Sequence, residues 1–87
     1  MKLILAIVHD SDSEPVTQAL TGSDFRVTRV ASTGGLLRRG MTTLLIGLEA
    51  EQVDAAIELL RKSCTPPAEG EKRATIFVIP VDKYEQI

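Results

Sequence analysis

The sequence predicts an α+β fold in which two helices cover one face of a four-stranded antiparallel sheet. The chain has 87 residues, which is enough for one domain over residues 1–87 and too short for a second. Apolar residues make up 44% of it and charged residues 25%, an ordinary composition for a folded domain. The apolar patterns alternate in the order β-α-β-β-α-β, which is typical of the ferredoxin-like arrangement.

The first half of the chain predicts a strand, a helix and a second strand. Lys2 to Val8 is a continuous apolar run, typical of a strand buried on both faces. Ser11 and Glu14 fit a capping box, which predicts a helix from about Asp12 to Thr21. The β-branched run from Phe25 to Ser32 predicts the second strand.

The second half predicts two strands separated by the clearest helix. Thr33 to Gly40 carries three glycines and two arginines and predicts a loop, which leads into a third strand over Met41 to Leu48. Glu49 to Ser63 has apolar residues at helical spacing. The breaker-rich connection from Thr65 to Glu71 then precedes a last strand over Arg73 to Val81.

Apolar residues on both sides of three strands predict an obligate oligomer. The first, third and last strands are apolar at odd and even positions alike, although a sheet covered on one face only would alternate with polar residues. Burying such a face favours association by about 25 cal/mol per Å² before association costs. The alternative is that the C-terminal tail DKYEQI folds over the sheet.

Positive charge is concentrated in residues 25–48, which contain four arginines and no acid within a chain of net charge −2. The arginines are Arg26, Arg29, Arg38 and Arg39. Arginine forks bind phosphate, and glycine-rich backbone allows close approach, so the segment predicts an anion site. The alternative is a solvated hairpin tip. Gly47, inside the third strand, indicates a bulge or the close approach of a ligand or another backbone.

Other functional classes have less support from the residues. The acidic net charge argues against a nucleic-acid polymer or an anionic membrane as partner. One cysteine and one histidine exclude an internal disulfide and a zinc cluster within one chain. Cys64 as an enzyme nucleophile requires exposure, whereas its spacing after Leu60 favours core packing. The longest apolar run, six residues, predicts neither a signal peptide nor a membrane span, so a soluble, reducing compartment is expected.

Three segments carry a resemblance to a known family. They are KLILAIVHDSDS at the start, FRVTRVASTGGLLRRGMTTLLIGLE in the middle and ATIFVIPVDKYEQI at the end. In these three segments the chain resembles the PII-like family of cyclic di-AMP receptor proteins (PstA/DarA-like). The resemblance implies a ferredoxin-like subunit, a homotrimer joined through its sheets, and nucleotide sites between neighbouring subunits. It also implies a cytoplasmic, non-enzymatic signalling protein that needs no cofactor or metal and acts on a protein partner through loops.

The resemblance also implies which residues bind the nucleotide. Carried over by position, they are Arg26, Thr28, Gly35, Leu37, Gly47, Phe77 and Gln86. Arg26 would hold phosphate, Thr28 and Gln86 would form hydrogen bonds, and Phe77 would contact adenine.

Four departures from the family pattern bear on the ligand. The family usually has asparagine where this chain has Asp24 and Met41, and phenylalanine where it has Leu36. Its long connection before the last strand is reduced here to TPPAEGE. The alternative to nucleotide sensing is therefore a PII-like oligomeric interaction scaffold that has lost nucleotide binding.

Overall fold

The computed structural model describes residues 1–30, 40–66, 70 and 72–87. Its elements are β1 (Lys2–His9), α1 (Asp10–Gly22), β2 (Arg26–Val30), β3 (Met41–Leu48), a 3-10 helix (Ala50–Gln52), α2 (Val53–Ser63) and β4 (Ala74–Pro80). The order confirms the predicted ferredoxin-like α+β fold. The predicted loop over Thr33 to Gly40 lies outside the described residues except for Gly40. None of the helices among the described residues is long and apolar enough to cross a membrane.

The four strands form one antiparallel sheet in the order β2-β3-β1-β4. The register places side chains in rows across the face that points away from the helices, called here the open face. The first row is Arg26, Gly47, Leu3 and Ile79, and the second row is Thr28, Leu45, Leu5 and Phe77. Residues from three different parts of the chain therefore become neighbours on one surface.

The core lies between the helices and the other face of the sheet. Ile4, Ala6 and Val8 of β1 have no exposed surface and pack against buried residues of both helices. Ala56 and Leu60 are the buried positions of α2, as the helical spacing predicted. Losing one of these large side chains costs about 2–5 kcal/mol in typical cores, so this layer holds the sheet in register.

The edge strand β4 is exposed on the open face and only partly covered on the helix face, where Ala74 and Ile76 pack against the core. Phe77 and Ile79 on the open face are 52% and 39% exposed, and Val78 on the helix face is 43% exposed. The helices therefore cover their face of the sheet less completely at β4, where Val78 stays exposed. The physical reason is position, because α1 packs against β1, β2 and β3 while β4 has no strand beyond it.

The start of α1 differs from the prediction. The helix begins at Asp10, with His9 as an N-cap that makes no side-chain capping bond, so Ser11 already lies inside the helix. The capping box predicted at Ser11 and Glu14 is wrong. The Glu14 carboxylate instead accepts hydrogen bonds from Arg29 at 2.7 Å and Gln18 at 3.2 Å.

The first turn of α1 forms hydrogen bonds with the segment that enters β3 and with the segment that follows α2. The Asp10 N–H donates to the Gly40 carbonyl at 2.8 Å, and the Thr42 hydroxyl donates to the Asp10 carboxylate. The buried Asp12 carboxylate accepts from the N–H and the hydroxyl of Thr65, at 3.1 and 2.6 Å. These bonds give a buried carboxylate its partners and fix the chain just after α2.

A true capping box lies before α2. Glu49 and Gln52 cap each other, and the Glu49 N–H donates to the Gln52 side chain at 3.0 Å. The helix predicted from Glu49 to Ser63 therefore begins with the 3-10 turn and becomes α-helical at Val53.

Candidate functional site

A cleft of about 440 Å³ opens on the open face, where β1 begins and β3 ends. Residues from the start, the middle and the end of the chain line it. They are Met1, Lys2, Leu3, Arg26, Thr28, Leu45, Gly47, Val81, Tyr84 and Gln86. The lining combines an apolar floor with a few polar side chains, the usual character of small-molecule sites.

The missing side chain of Gly47 makes room for the cleft. In the first row Gly47 lies between Arg26 and Leu3, with neighbouring strands about 4.8 Å apart. A Cβ built at Gly47 would lie 3.5 Å from the Cε atom of Met1, an ordinary contact distance. A ligand that enters here can therefore approach the β3 backbone, which is the role predicted for Gly47 from its isolated position in a strand.

The C-terminal residues 81–87, called here the tail, form one wall of the cleft. The Val81 N–H donates to the Met1 carbonyl at 3.1 Å, which continues the pairing of β4 with β1 by one backbone bond. Tyr84 and Gln86 then line the cleft together with Arg26 of β2, on the opposite edge of the sheet. The tail therefore turns from β4 across the end of the open face. This agrees in part with the alternative that the tail folds over the sheet.

The lining of the cleft is positively charged. Arg26 is the cation that β2 presents on the open face, whereas Lys2 alternates with Leu3 and lies on the helix side of β1; no carboxylate is among the ten lining residues. Neither cation forms a side-chain ion pair with any residue that the structure describes. The cleft thus concentrates positive charge on a chain whose net charge is −2, an arrangement that favours an anion.

Arg29 has a different role from Arg26. The two residues lie on opposite faces of β2, and the Arg29 guanidinium is bound to the Glu14 carboxylate at 2.7 Å. The hydrogen bond and the positive charge of Arg29 together lower the pKa of Glu14. Of the two arginines of this segment that the structure describes, Arg29 is therefore partnered and Arg26 is available.

The structure brings four of the seven predicted site residues together. Arg26, Thr28, Gly47 and Gln86 all line the cleft. Phe77 does not line it, because it lies in the second row on the far side of β1. The remaining two, Gly35 and Leu37, lie outside the described residues.

Comparison with known proteins bears on this cleft. The family model described as a cyclic-di-AMP receptor matches residues 1–69. The chain belongs to the cyclic-di-AMP receptor family. A solved structure, described as a functionally unknown protein from Pediococcus pentosaceus ATCC 25745, is 33% identical, with a TM-score of 0.80 over 99% of this chain and 96% of that chain. These findings confirm the resemblance stated from the sequence.

Two departures from the receptor family pattern lie outside the cleft of a single chain. Asp24 has a positive φ of 68° and its N–H donates to the Thr21 carbonyl at 3.0 Å, so it terminates α1. Asp and Asn are the non-glycine residues that adopt this conformation most readily. Met41 lies opposite His9, at the other end of β3 from Gly47. The third departure, Leu36, lies outside the described residues.

Sequence reasoning missed six of the lining residues. They are Met1, Lys2, Leu3, Leu45, Val81 and Tyr84. Leu3 and Leu45 were recoverable, because they alternate onto the same face as their neighbours Gly47 and Thr28 once β1 pairs with β3. The tail residues carry no periodic signal, and only the path of the chain after β4 places them.

Cys64 has the environment of a core residue. It is buried, with 6% exposure, and burial first and the Asp12 charge second raise the pKa of its thiol. A nucleophilic cysteine needs access and a lowered pKa, so an enzyme built on Cys64 does not fit this environment. Within the described ranges, no group of three or more His, Cys, Asp or Glu side chains is arranged to hold a metal ion.

Proposed function

We propose that this chain is a PII-like signalling protein that binds cyclic di-AMP, or a related adenine nucleotide, at the subunit interfaces of a homotrimer. Binding is relayed to a protein partner through the loops, and the protein catalyses no reaction. The observation that carries the proposal is the available Arg26 beside the open backbone of Gly47, in a chain of the cyclic-di-AMP receptor family.

The charges of the cleft match the ligand. A cyclic dinucleotide has two phosphodiesters with one negative charge each, and Arg26 offers a cation to them on the open face. Arginine is the stronger phosphate ligand because its guanidinium donates two parallel hydrogen bonds. Thr28 and Gln86 supply side-chain donors and acceptors for the polar edges of the ligand.

The uncovered apolar residues of β4 support the trimer. Phe77 and Ile79 are exposed on the open face in a single chain, next to the half-buried Leu3 and Leu5. Packing of neighbouring subunits on this face removes that surface from water. Phe77 then reaches a nucleotide in the cleft of a neighbouring subunit, which reconciles its predicted role with its place outside the cleft of its own chain.

Calorimetric titration with cyclic di-AMP tests the proposal, with cyclic di-GMP and AMP as matched ligands. We expect saturable binding of cyclic di-AMP with one site per subunit, and weaker binding of the two comparison ligands. Native mass spectrometry of the same sample should give three subunits, with the ligand mass retained. A trimer that shows no heat with any adenine nucleotide at high micromolar concentration would contradict sensing and favour the interaction scaffold. A monomer would contradict the site architecture itself.

A further inference from the structure

The aromatic side chain at the cleft comes from the tail. Tyr84 is the one aromatic residue among the ten that line the cleft, and it is 60% exposed, so much of its ring is available for contact. It also lies beyond residue 69, where the match to the receptor family ends. Neither the family match nor the seven predicted site residues therefore assign it a role.

The geometry of the tail directs Tyr84 towards the cleft. Tyr84 and Gln86 are two residues apart and both line the cleft, as alternate residues of an extended segment do. Lys83, just before Tyr84, and Glu85, between Tyr84 and Gln86, do not line it, and their exposed side chains pair with each other at 3.2 Å. The tail thus has an inward side of Tyr84 and Gln86 and a solvent side of Lys83 and Glu85.

We propose that the tail is a strap that closes over the base of the bound nucleotide, with Tyr84 stacking on that base and adding to the affinity. This inference rests on the proposed function. The base lies between the ring of Tyr84 and the apolar floor of Leu3 and Leu45, while Arg26 holds phosphate. Because every base presents a π face, stacking adds affinity for nucleotides, and side-chain hydrogen bonds supply the preference for adenine.

Three variants of the tail test the strap. Tyr84→Ala removes the ring, Tyr84→Phe keeps the ring without the hydroxyl, and Glu85→Ala disrupts only the solvent-side ion pair. We expect Tyr84→Ala to raise the calorimetric Kd for cyclic di-AMP roughly 5- to 150-fold, the range found for single base–aromatic stacks. Tyr84→Phe and Glu85→Ala should remain within about twofold of the unsubstituted protein, because both keep the stacking ring.

Nuclear magnetic resonance gives an independent readout, because the chain has one tyrosine. Stacking on a purine should move the Tyr84 ring protons upfield on titration, and Glu85→Ala should show the same shift. Cyclic di-AMP binding that survives Tyr84→Ala unchanged, or that leaves the ring signals in place, would overturn the strap and leave the proposed function intact. Failure of the unsubstituted protein to bind would overturn both.

Discussion

Arg26 and Arg29 form a matched pair that separates direct anion contact from general electrostatic attraction. Each substitution to alanine removes one exposed positive charge from β2. Arg26 lines the cleft on the open face, whereas Arg29 lies on the other face and binds Glu14. A long-range charge effect would weaken nucleotide binding equally in the two variants, but a direct contact weakens it only in Arg26→Ala.

The expected difference between the two variants is large. A hydrogen bond to a charged group contributes about 1.5–3 kcal/mol, so Arg26→Ala should raise the Kd roughly 10- to 150-fold. Arg29→Ala should change the Kd by less than about threefold at physiological salt, where exposed charges are largely screened beyond about 8 Å. Arg26→Ala should leave the free energy of unfolding within about 0.5 kcal/mol, since the structure gives Arg26 no ion pair among the described residues.

Calorimetric titration of cyclic di-AMP into both variants and the unsubstituted protein measures this difference. Repeating the titrations at low and high salt separates screening from contact, and urea unfolding of each variant checks stability. Equal losses of affinity in the two variants would refute a contact at Arg26. An unchanged affinity in Arg26→Ala would remove that residue from the site.

Three further predictions follow from the same structure. Gly47→Ala should fold normally, since its Cβ meets Met1 Cε at 3.5 Å, but should raise the calorimetric Kd roughly 5- to 100-fold because the methyl group fills the cleft. Phe77→Glu should yield monomers in native mass spectrometry, because it places a charge on the open face. Val78→Glu, on the opposite face of β4, should keep the proposed trimer. Dissociation of the trimer by Val78→Glu would mean that assembly uses the helix face. Burial raises the pKa of Cys64, so the unfolded chain loses its thiol proton first and the free energy of unfolding should fall as pH rises above about 8.5. Urea unfolding should therefore show that the difference in free energy of unfolding between the unsubstituted protein and Cys64→Ala becomes smaller as pH rises. A difference that stays constant with pH would contradict the raised pKa of Cys64.

The sheet was predictable because its strands are strongly apolar and bounded by breakers. Met41 to Leu48 was predicted with the bounds that β3 has in the structure. The start of α1 was not, because β1 runs directly into the helix, and no capping side chain marks the boundary. Glu14 looked like a capping residue because the chain alone does not reveal its partner Arg29, fifteen positions away.

The cleft was predictable only where strand alternation governs it. Arg26, Thr28 and Gly47 share a face through β-sheet register, and the sequence carries that register in its apolar pattern. Gln86 came from the family resemblance, and Tyr84 was missed, because a tail without helix or strand has no period to analyse. The exposure of Val78 was missed for a related reason, since the lateral position of a helix over a sheet is set by packing.

The cleft draws on the first three residues of the chain, on β2 and β3, and on the tail. No contiguous fragment contains more than part of it, so anything that occupies it stabilises the whole chain against cooperative unfolding. A copy cut within its last few residues keeps the sheet and the arginine yet lacks a wall. Such a copy keeps Phe77 and Ile79, the exposed apolar residues of β4, but lacks Tyr84 and Gln86 at the cleft, so a C-terminal truncation separates the surface proposed for assembly from the cleft proposed for the ligand.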